Sequence, residues 1–311
     1  MAERKPVIGL ALGSGAARGW AHLGVIRELE EMGIRPSVIA GCSIGSLVGA
    51  AYAGGQLDTL EKWALGLSSW DVFNLMDFSL HKGGLVTGDK VFDAAEQQLG
   101  SSNIEDLPHR FACVATDLET GREIWLQQGK VRDAVRASCA MPGLMAPFQR
   151  NGQWLVDGAV VNPVPVALCR ALGAELVIAV NLNSYHRSES LLRSENGGLV
   201  QPSTPDDPDN GFWRLLGGGK DFINSMLTKV NLNNDARSPG MVGVMSASID
   251  IMQERLARAR MAGDPPEVLL NPKLGEIGVM DFHRAEEAMA EGRRVAKVMR
   301  PAIFEELQLL S

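Results

Sequence analysis

The stretch Gly41-Cys42-Ser43-Ile44-Gly45 constrains the fold more than any other part of the chain. It is set between the apolar run Pro36-Ser37-Val38-Ile39-Ala40 and the small-residue run Ser46 to Gly55. A strand that turns abruptly into a helix leaves its corner residue strained and exposed, and only small neighbours let the backbone fold that tightly. The spacing therefore predicts a strand over 36–41, a corner at Ser43 and a helix packed closely on a sheet beyond it. Taken alone, the pentapeptide serves equally well as a tight structural turn in a chain with 34 glycines. A second unit of the same build precedes it: the strand "VIGLAL" at 7–12, a glycine-rich turn, and the helical pattern "GWAHLGVIRELEEMG" closing at Gly33. Two strand-turn-helix units so close in sequence are expected to be neighbours in one sheet, with both turns at its carboxyl end.

The alternation continues, which predicts an α/β fold with a mainly parallel central sheet and helices on both faces. "RFACVATDL" and "EIWLQQG" read as paired strands and "KVRDAVRASCAMPG" as a helix stopped by Pro142 and Gly143. "QWLVDG" is a short strand ending in a turn, and "VPVALCRALGA" and "ELVIAVNLN" add a helix and a strand. This core spans 1–185. From 186 to 239 the chain turns rich in Gly, Pro, Ser and Asp, which predicts a mobile insertion. Within it Phe212, Trp213, Phe222 and their apolar neighbours read as a covering helix in preference to a lid or membrane-touching one. Residues 240–311 complete the same domain. They hold a long helix from Met241 whose Met and Ile positions recur at helical spacing, the strand "PEVLLNP" and the helix "DFHRAEEAMAEGRRVAKVM". The Met stripe points to core or to a subunit contact, and so to a homo-oligomer through that helix.

A formal charge of -7 and a pI near 5.4 argue against a nucleic-acid partner, whose footprint would be a basic domain. Cys42, Cys113, Cys139 and Cys169 fall in apolar segments without a C-x-x-C pair, so they read as buried free thiols of a reducing compartment. The first residues lack the pattern of a signal peptide, and no apolar run is long enough to span a bilayer. The expectation is a cytoplasmic protein, with peripheral contact at the inner membrane surface left open. The Asp and His residues show no metal-ligand spacing, and no cofactor is expected.

The chemistry rests on the two turns. Gly13, Ser14, Gly15, Ala16, Ala17, Arg18 and Gly19 leave backbone N-H groups exposed at a helix N-terminus, a place that binds negative charge. The loop fits neither G-x-G-x-x-G nor the G-K-[ST] ending of a phosphate loop, which leaves an oxyanion hole beside a candidate serine nucleophile. A conventional triad would then need an acid followed by a histidine. His22 lies inside the first helix, and His81 and His109 precede any suitable acid. His186 and His283 sit in polar or charged segments and read as surface residues. Asp157, by contrast, is delivered by a short strand to the turn at Gly158.

"LGSGAARG", "GCSIG" and "DGA", in that order, resemble the three blocks of the patatin-like phospholipases, and most closely their small bacterial RssA-like branch related to neuropathy target esterase domains. The resemblance runs from about residue 7 to 182 and more loosely beyond. It implies a patatin-like fold and a lipid acyl ester hydrolase of phospholipase or lysophospholipase type, with Ser43 as nucleophile, Asp157 as its base and no histidine. It further implies that Gly41 and Gly45 form the nucleophile elbow, that Gly158 forms the acid turn, and that Ser14, Gly15 and Ala16 frame the oxyanion hole with Arg18 nearby. Ser14 and Ala16 replace glycines of the commoner loop, and Ile44 replaces a small residue after the serine, narrowing the site. A free aspartate, with a pKa of about 3.9, becomes a useful base near neutrality only if burial raises it. The rival expectations are a Ser-His-Asp esterase using His186 or His283, and a regulatory protein of low activity on the same fold.

Overall fold

A computed structural model describes residues 6–75, 84–100, 102–184 and 241–309. The stretch 186–239, with Phe212, Trp213 and His186, lies outside the described residues, as does His81. The central sheet has eight strands: β1 (Ile8–Leu12), β2 (Val38–Cys42), β4 (Arg110–Asp117), β5 (Glu123–Leu126), β7 (Phe148–Arg150), β8 (Gln153–Asp157), β9 (Leu176–Val180) and β10 (Val268–Leu270). Their order is β10-β9-β1-β2-β4-β8-β7, with β5 on β4. The strands from β10 to β4 run parallel, while β5, β8 and β7 are antiparallel additions at one end. Two short strands, β3 (Gly84–Val86) and β6 (Gly143–Met145), pair separately.

Alternation along the strands supplies two cores. Leu10, Leu12, Ile39, Phe111, Ile178 and Val180 point into the larger one. Helices α1 (Ala21–Glu31), α2 (Ile44–Ala53), α3 (Leu57–Gly66), α5 (Asp89–Leu99), α6 (Val131–Ser138) and α9 (Ala285–Val298) close it. Ala11, Ala40, Ala112 and Ala179 face the other way, and these small side chains let α7 (Val166–Ala171) and α8 (Met241–Gly263) lie close on the sheet. The remaining helices are α4 (Ser69–Leu75) and α10 (Arg300–Leu309). The crossing of α1 and α9 is tight: a Cβ at Gly24 would stand 1.9 Å from the Met289 carbonyl oxygen, and one at Gly292 would stand 2.0 Å from that of Ala21.

Three sequence expectations shift. The first helix begins at Ala21 because Ala16–Trp20 form a 3-10 turn that carries the glycine loop into it. Helix α6 ends at Ser138, before Pro142, and the Ala140 carbonyl turns out to accept the N-H of Asp157 at 2.9 Å. Among its described side chains, the apolar stripe of α8 reaches the core at the carboxyl end. Ala257 and Met261 are buried, but Ile251 and Met252 are more than half exposed. Among the described residues no helix is long and apolar enough to cross a membrane.

Candidate active site

The register of β4 explains how Ser43 and Asp157, 114 residues apart, come together. Val114 pairs with Cys42 of β2 and with Trp125 of β5, so β2 and β5 lie on opposite edges of β4. Ala115 pairs with Ile124 of β5 and with Asp157 of β8, so β8 lies on the same edge as β2. β2 runs up that edge and β8 runs down it, and they meet head to head between Val114 and Ala115. Each strand spends its last residue there.

Ser43 occupies the corner between β2 and α2 with φ 55° and ψ -127°, a backbone region that side chains rarely adopt. The strain is offset by hydrogen bonds on both sides of the residue. The Ser43 N-H donates to Ser138 Oγ at 2.9 Å, and that hydroxyl donates to the Val114 carbonyl at 2.7 Å. The Ser43 carbonyl accepts from the Ser46 N-H at 2.8 Å and from Ser46 Oγ at 2.5 Å. The flanking glycines are needed for close approach. A Cβ on Gly45 would stand 2.2 Å from the Leu12 carbonyl oxygen, and one on Gly41 would stand 2.5 Å from Ser46 Cα. Gly158 does the same service after the acid, since its Cβ would meet the Val114 oxygen at 2.3 Å.

Asp157 is buried and every polar atom of it is engaged. Oδ2 accepts from Ser43 Oγ at 2.6 Å, and Oδ1 accepts from the Ala159 N-H at 2.8 Å. Its own carbonyl accepts from Thr116 Oγ1 at 2.8 Å. Burial pushes its pKa up from 3.8 to about 6, with the hydrogen bonds from Ser43 and the Ala159 N-H pulling the other way. The outcome is a carboxylate ionised at neutral pH yet basic enough to take a proton from a hydroxyl that touches it.

The glycine loop lies at the end of β1. The N-H groups of Gly13, Ser14, Ala17 and Arg18 donate to the carbonyls of Val180, Pro163, Val279 and Gly15. Those of Gly15 and Ala16 donate to no acceptor among the described residues. Ala16, with φ 50°, walls the same cavity as Ser43. Ser14 and Arg18 do other work. Ser14 Oγ donates to Gln253 Oε1 at 3.1 Å, and Asn183 Nδ2 donates to the Ser14 carbonyl at 3.3 Å. Arg18 Nε donates to the Ile277 carbonyl at 3.0 Å, and its guanidinium pairs with Asp250 at 3.3 Å. Both side chains fasten the loop to α8.

His22 was legible in the sequence only as a helix residue. It is fully buried, and its Nε2 donates to the Gly13 carbonyl at 2.8 Å, which fixes the tautomer. Burial lowers its pKa to about 4, so the ring is neutral and holds the loop by one hydrogen bond. Ser138 was missed as well, because "ASCAMP" carries no chemical pattern of its own. His109 stacks on Tyr52, and His283 is exposed ahead of α9. None of these three described histidines bonds Ser43 or Asp157.

An apolar cavity of about 120 Å³ opens beside Ser43. Its walls include Ile44, Trp63, Phe92, Met145 and Phe282. The four cysteines are unbridged, Cys139 being the one only partly covered, and burial raises the pKa of each. Among the described residues no cluster of His, Cys, Asp or Glu is disposed to hold a metal.

Residues 10–170 match the family described as patatin-like phospholipase. An uncharacterized NTE family protein of Mycobacterium tuberculosis is 33% identical over 94% of this chain and 90% of its own length. The lysophospholipase NTE1 of Coccidioides immitis is 29% identical over 93% of this chain, and that of Saccharomyces cerevisiae is 29% identical over 96%. Each of these two fungal proteins is matched over only 17% of its length.

Proposed function

The chain belongs to the patatin-like phospholipase family, and from that premise we propose that it is a serine acyl hydrolase of lipid carboxylic esters, working through Ser43 and Asp157 alone. The observation that carries the proposal is the 2.6 Å hydrogen bond from Ser43 Oγ to a buried carboxylate of raised pKa. As Oγ attacks the ester carbonyl carbon, its proton passes along that bond to Asp157 Oδ2. The carbonyl oxygen takes the displaced electron pair and faces the N-H groups of Gly15 and Ala16, together with that of Ile44 at the start of α2. One such donor typically supplies about 2.7 to 4 kcal/mol to the transition state. Collapse of the intermediate breaks the ester C-O bond, and the departing alcohol oxygen receives the proton from Asp157. The acyl group stays on Ser43. A water then repeats the sequence: Asp157 takes its proton, the oxygen attacks the acyl carbon, and Ser43 Oγ leaves with the proton restored.

The lysophospholipase names of the fungal relatives support a lipid substrate. The apolar walls of the cavity at Ser43 support its use for the acyl chain. A fluorophosphonate probe tests the reading directly, because only an activated serine is labelled. The protein is expected to label at Ser43 and to hydrolyse a p-nitrophenyl ester, with Ser43→Ala abolishing both. Near-normal turnover by Asp157→Asn would refute the dyad.

A further inference from the structure

The Gly15 N-H shares one planar peptide unit with the Ser14 carbonyl, and in a trans peptide the two point in opposite directions. Whatever holds that carbonyl therefore aims that N-H. Three successive carbonyls of the glycine loop are held in different ways. The Gly13 carbonyl accepts from His22 Nε2 at 2.8 Å, and the Gly15 carbonyl accepts from the Arg18 N-H at 3.1 Å, within the 3-10 turn. The Ser14 carbonyl, between them, accepts from a side chain 169 residues away: Asn183 Nδ2, at 3.3 Å.

Asn183 is itself firmly placed. It is 1% exposed just beyond β9, and its N-H donates to Asn181 Oδ1 at 3.1 Å, while the Asn181 N-H donates to the Leu270 carbonyl of β10 at 2.9 Å. A carbonyl oxygen can only accept, so the Asn183 amide has to turn its NH2 group toward Ser14. The second Nδ2 hydrogen is directed at Gln253 Oε1 of α8 at 3.2 Å, and Ser14 Oγ, also 3.3 Å from Nδ2, donates to that same oxygen. Leu182, the residue before, lies so close to the loop that a Cβ on Gly15 would stand 2.8 Å from its Cδ1. That approach requires glycine at 15, and glycine leaves the peptide unit with no Cβ to resist rotation. A half turn of the unit would replace the N-H by a carbonyl oxygen at the place where the substrate oxygen gathers negative charge. We infer that Asn183 is a positioning residue for ester hydrolysis, acting through the Ser14-Gly15 peptide to hold the Gly15 N-H toward the oxyanion. Asn183 is not part of the wall of the cavity at Ser43, so its effect falls on the transition state and not on the binding of the acyl chain. The inference rests on the hydrolase reading above, and its test separates the two.

The experiment compares wild type, Asn183→Leu and Gln253→Met by kcat and KM on a p-nitrophenyl ester. It also measures inhibition by an alkyl trifluoromethyl ketone, whose adduct with Ser43 carries the tetrahedral oxygen of the transition state. Leucine keeps the branched shape of asparagine and removes the donor. Asn183→Leu is expected to lower kcat by about a hundredfold, the loss that goes with one oxyanion donor, with KM little changed and the ketone weakened by the same factor. Gln253→Met, at a half-buried position of α8, frees the second Nδ2 hydrogen and loosens Asn183 without removing it. It should lower kcat and ketone affinity together by about fivefold, and it decides the matter should Asn183→Leu not fold. An active wild type matched by either folded variant in kcat and ketone affinity would overturn the inference and leave the dyad standing, as would a loss confined to KM. A wild type that neither hydrolyses the ester nor labels at Ser43 with fluorophosphonate would overturn the hydrolase reading and this inference with it.

Discussion

Asp157→Asn is expected to make the protein inactive and, above neutrality, more stable. The substitution keeps the shape of the side chain. Its Oδ1 can still accept from the Ala159 N-H, and its Nδ2 can donate to Ser43 Oγ, so the two contacts at 2.8 and 2.6 Å survive with one polarity reversed. What is lost is the charge. Burial raises the folded-state pKa from 3.8 to about 6, so the native protein holds this proton more tightly than the unfolded chain. The sign follows: the contribution of the carboxyl to stability is complete below pH 3.8 and is lost as pH rises through about 6. At about 1.36 kcal/mol for each tenfold change in proton affinity, ionising it in place costs on the order of 3 kcal/mol at alkaline pH. Asparagine does not titrate and escapes this cost. Urea unfolding of both proteins should therefore give a stability gap, in favour of the variant, that widens by about 2 kcal/mol between about pH 4.5 and 8. Over the same range wild-type kcat/KM should fall about tenfold per pH unit below pH 6, as the base is lost. A variant less stable than wild type at pH 8, or a gap that does not change with pH, would refute the argument, since either means that the carboxyl is not held in a destabilised ionised state.

Ser138→Ala removes the acceptor of the Ser43 N-H and the donor to the Val114 carbonyl, leaving two buried backbone groups unpaired at about 1 to 3 kcal/mol each; a lower melting temperature and a lower kcat are expected together. His22→Leu frees the Gly13 carbonyl behind the glycine loop proposed as the oxyanion hole, so kcat should fall by about tenfold or more with little change in KM, and His22→Gln, which can still donate, should recover part of it; equal activity in the two variants would show that the hydrogen bond is idle. Gly45→Ala forces a Cβ to 2.2 Å from the backbone oxygen of Leu12, where no flexible atom can yield, and should cost about 3 kcal/mol in chemical denaturation; a near-native midpoint would mean that α2 is not seated on β1 as described.

Much of the central sheet was readable because its strands are buried on both faces and run as short apolar stretches between turns. β1, β2, β4 and β9 all sit where their sequence patterns place them. The wall of the cavity at Ser43 was not readable in this way. Trp63, Phe92 and Met145 belong to α3, α5 and the small β3-β6 pair, whose residues carry ordinary amphipathic or irregular patterns that say nothing about what they face. The middle of α8 was ambiguous for a related reason: Ile251 and Met252 fit a helical period, but period alone cannot distinguish a stripe on the core from one left at the surface.

The site itself divides along the same line between local and non-local causes. Ser43 announces itself because a strained corner demands glycines at fixed offsets, and Gly41 and Gly45 answer a steric need within a few residues of it. Asp157 has only a following glycine to mark it, since what brings it to Ser43 and raises its pKa is neither its own turn nor its neighbours in the chain. It is the antiparallel arrival of β8 on the edge of β4 that β2 has just vacated, a register that no short motif encodes. That arrival has an electrostatic consequence as well as a geometric one. A strand end packed against another strand end excludes water from the carboxylate between them, so the pairing that brings Asp157 to 2.6 Å from Ser43 is also the pairing that raises its pKa. Proximity and basicity thus have one structural origin, and loosening the end of β8 on β4 would lower both at once: the Thr116 hydroxyl, which holds the Asp157 carbonyl at 2.8 Å, is the side chain through which that coupling is most directly exerted.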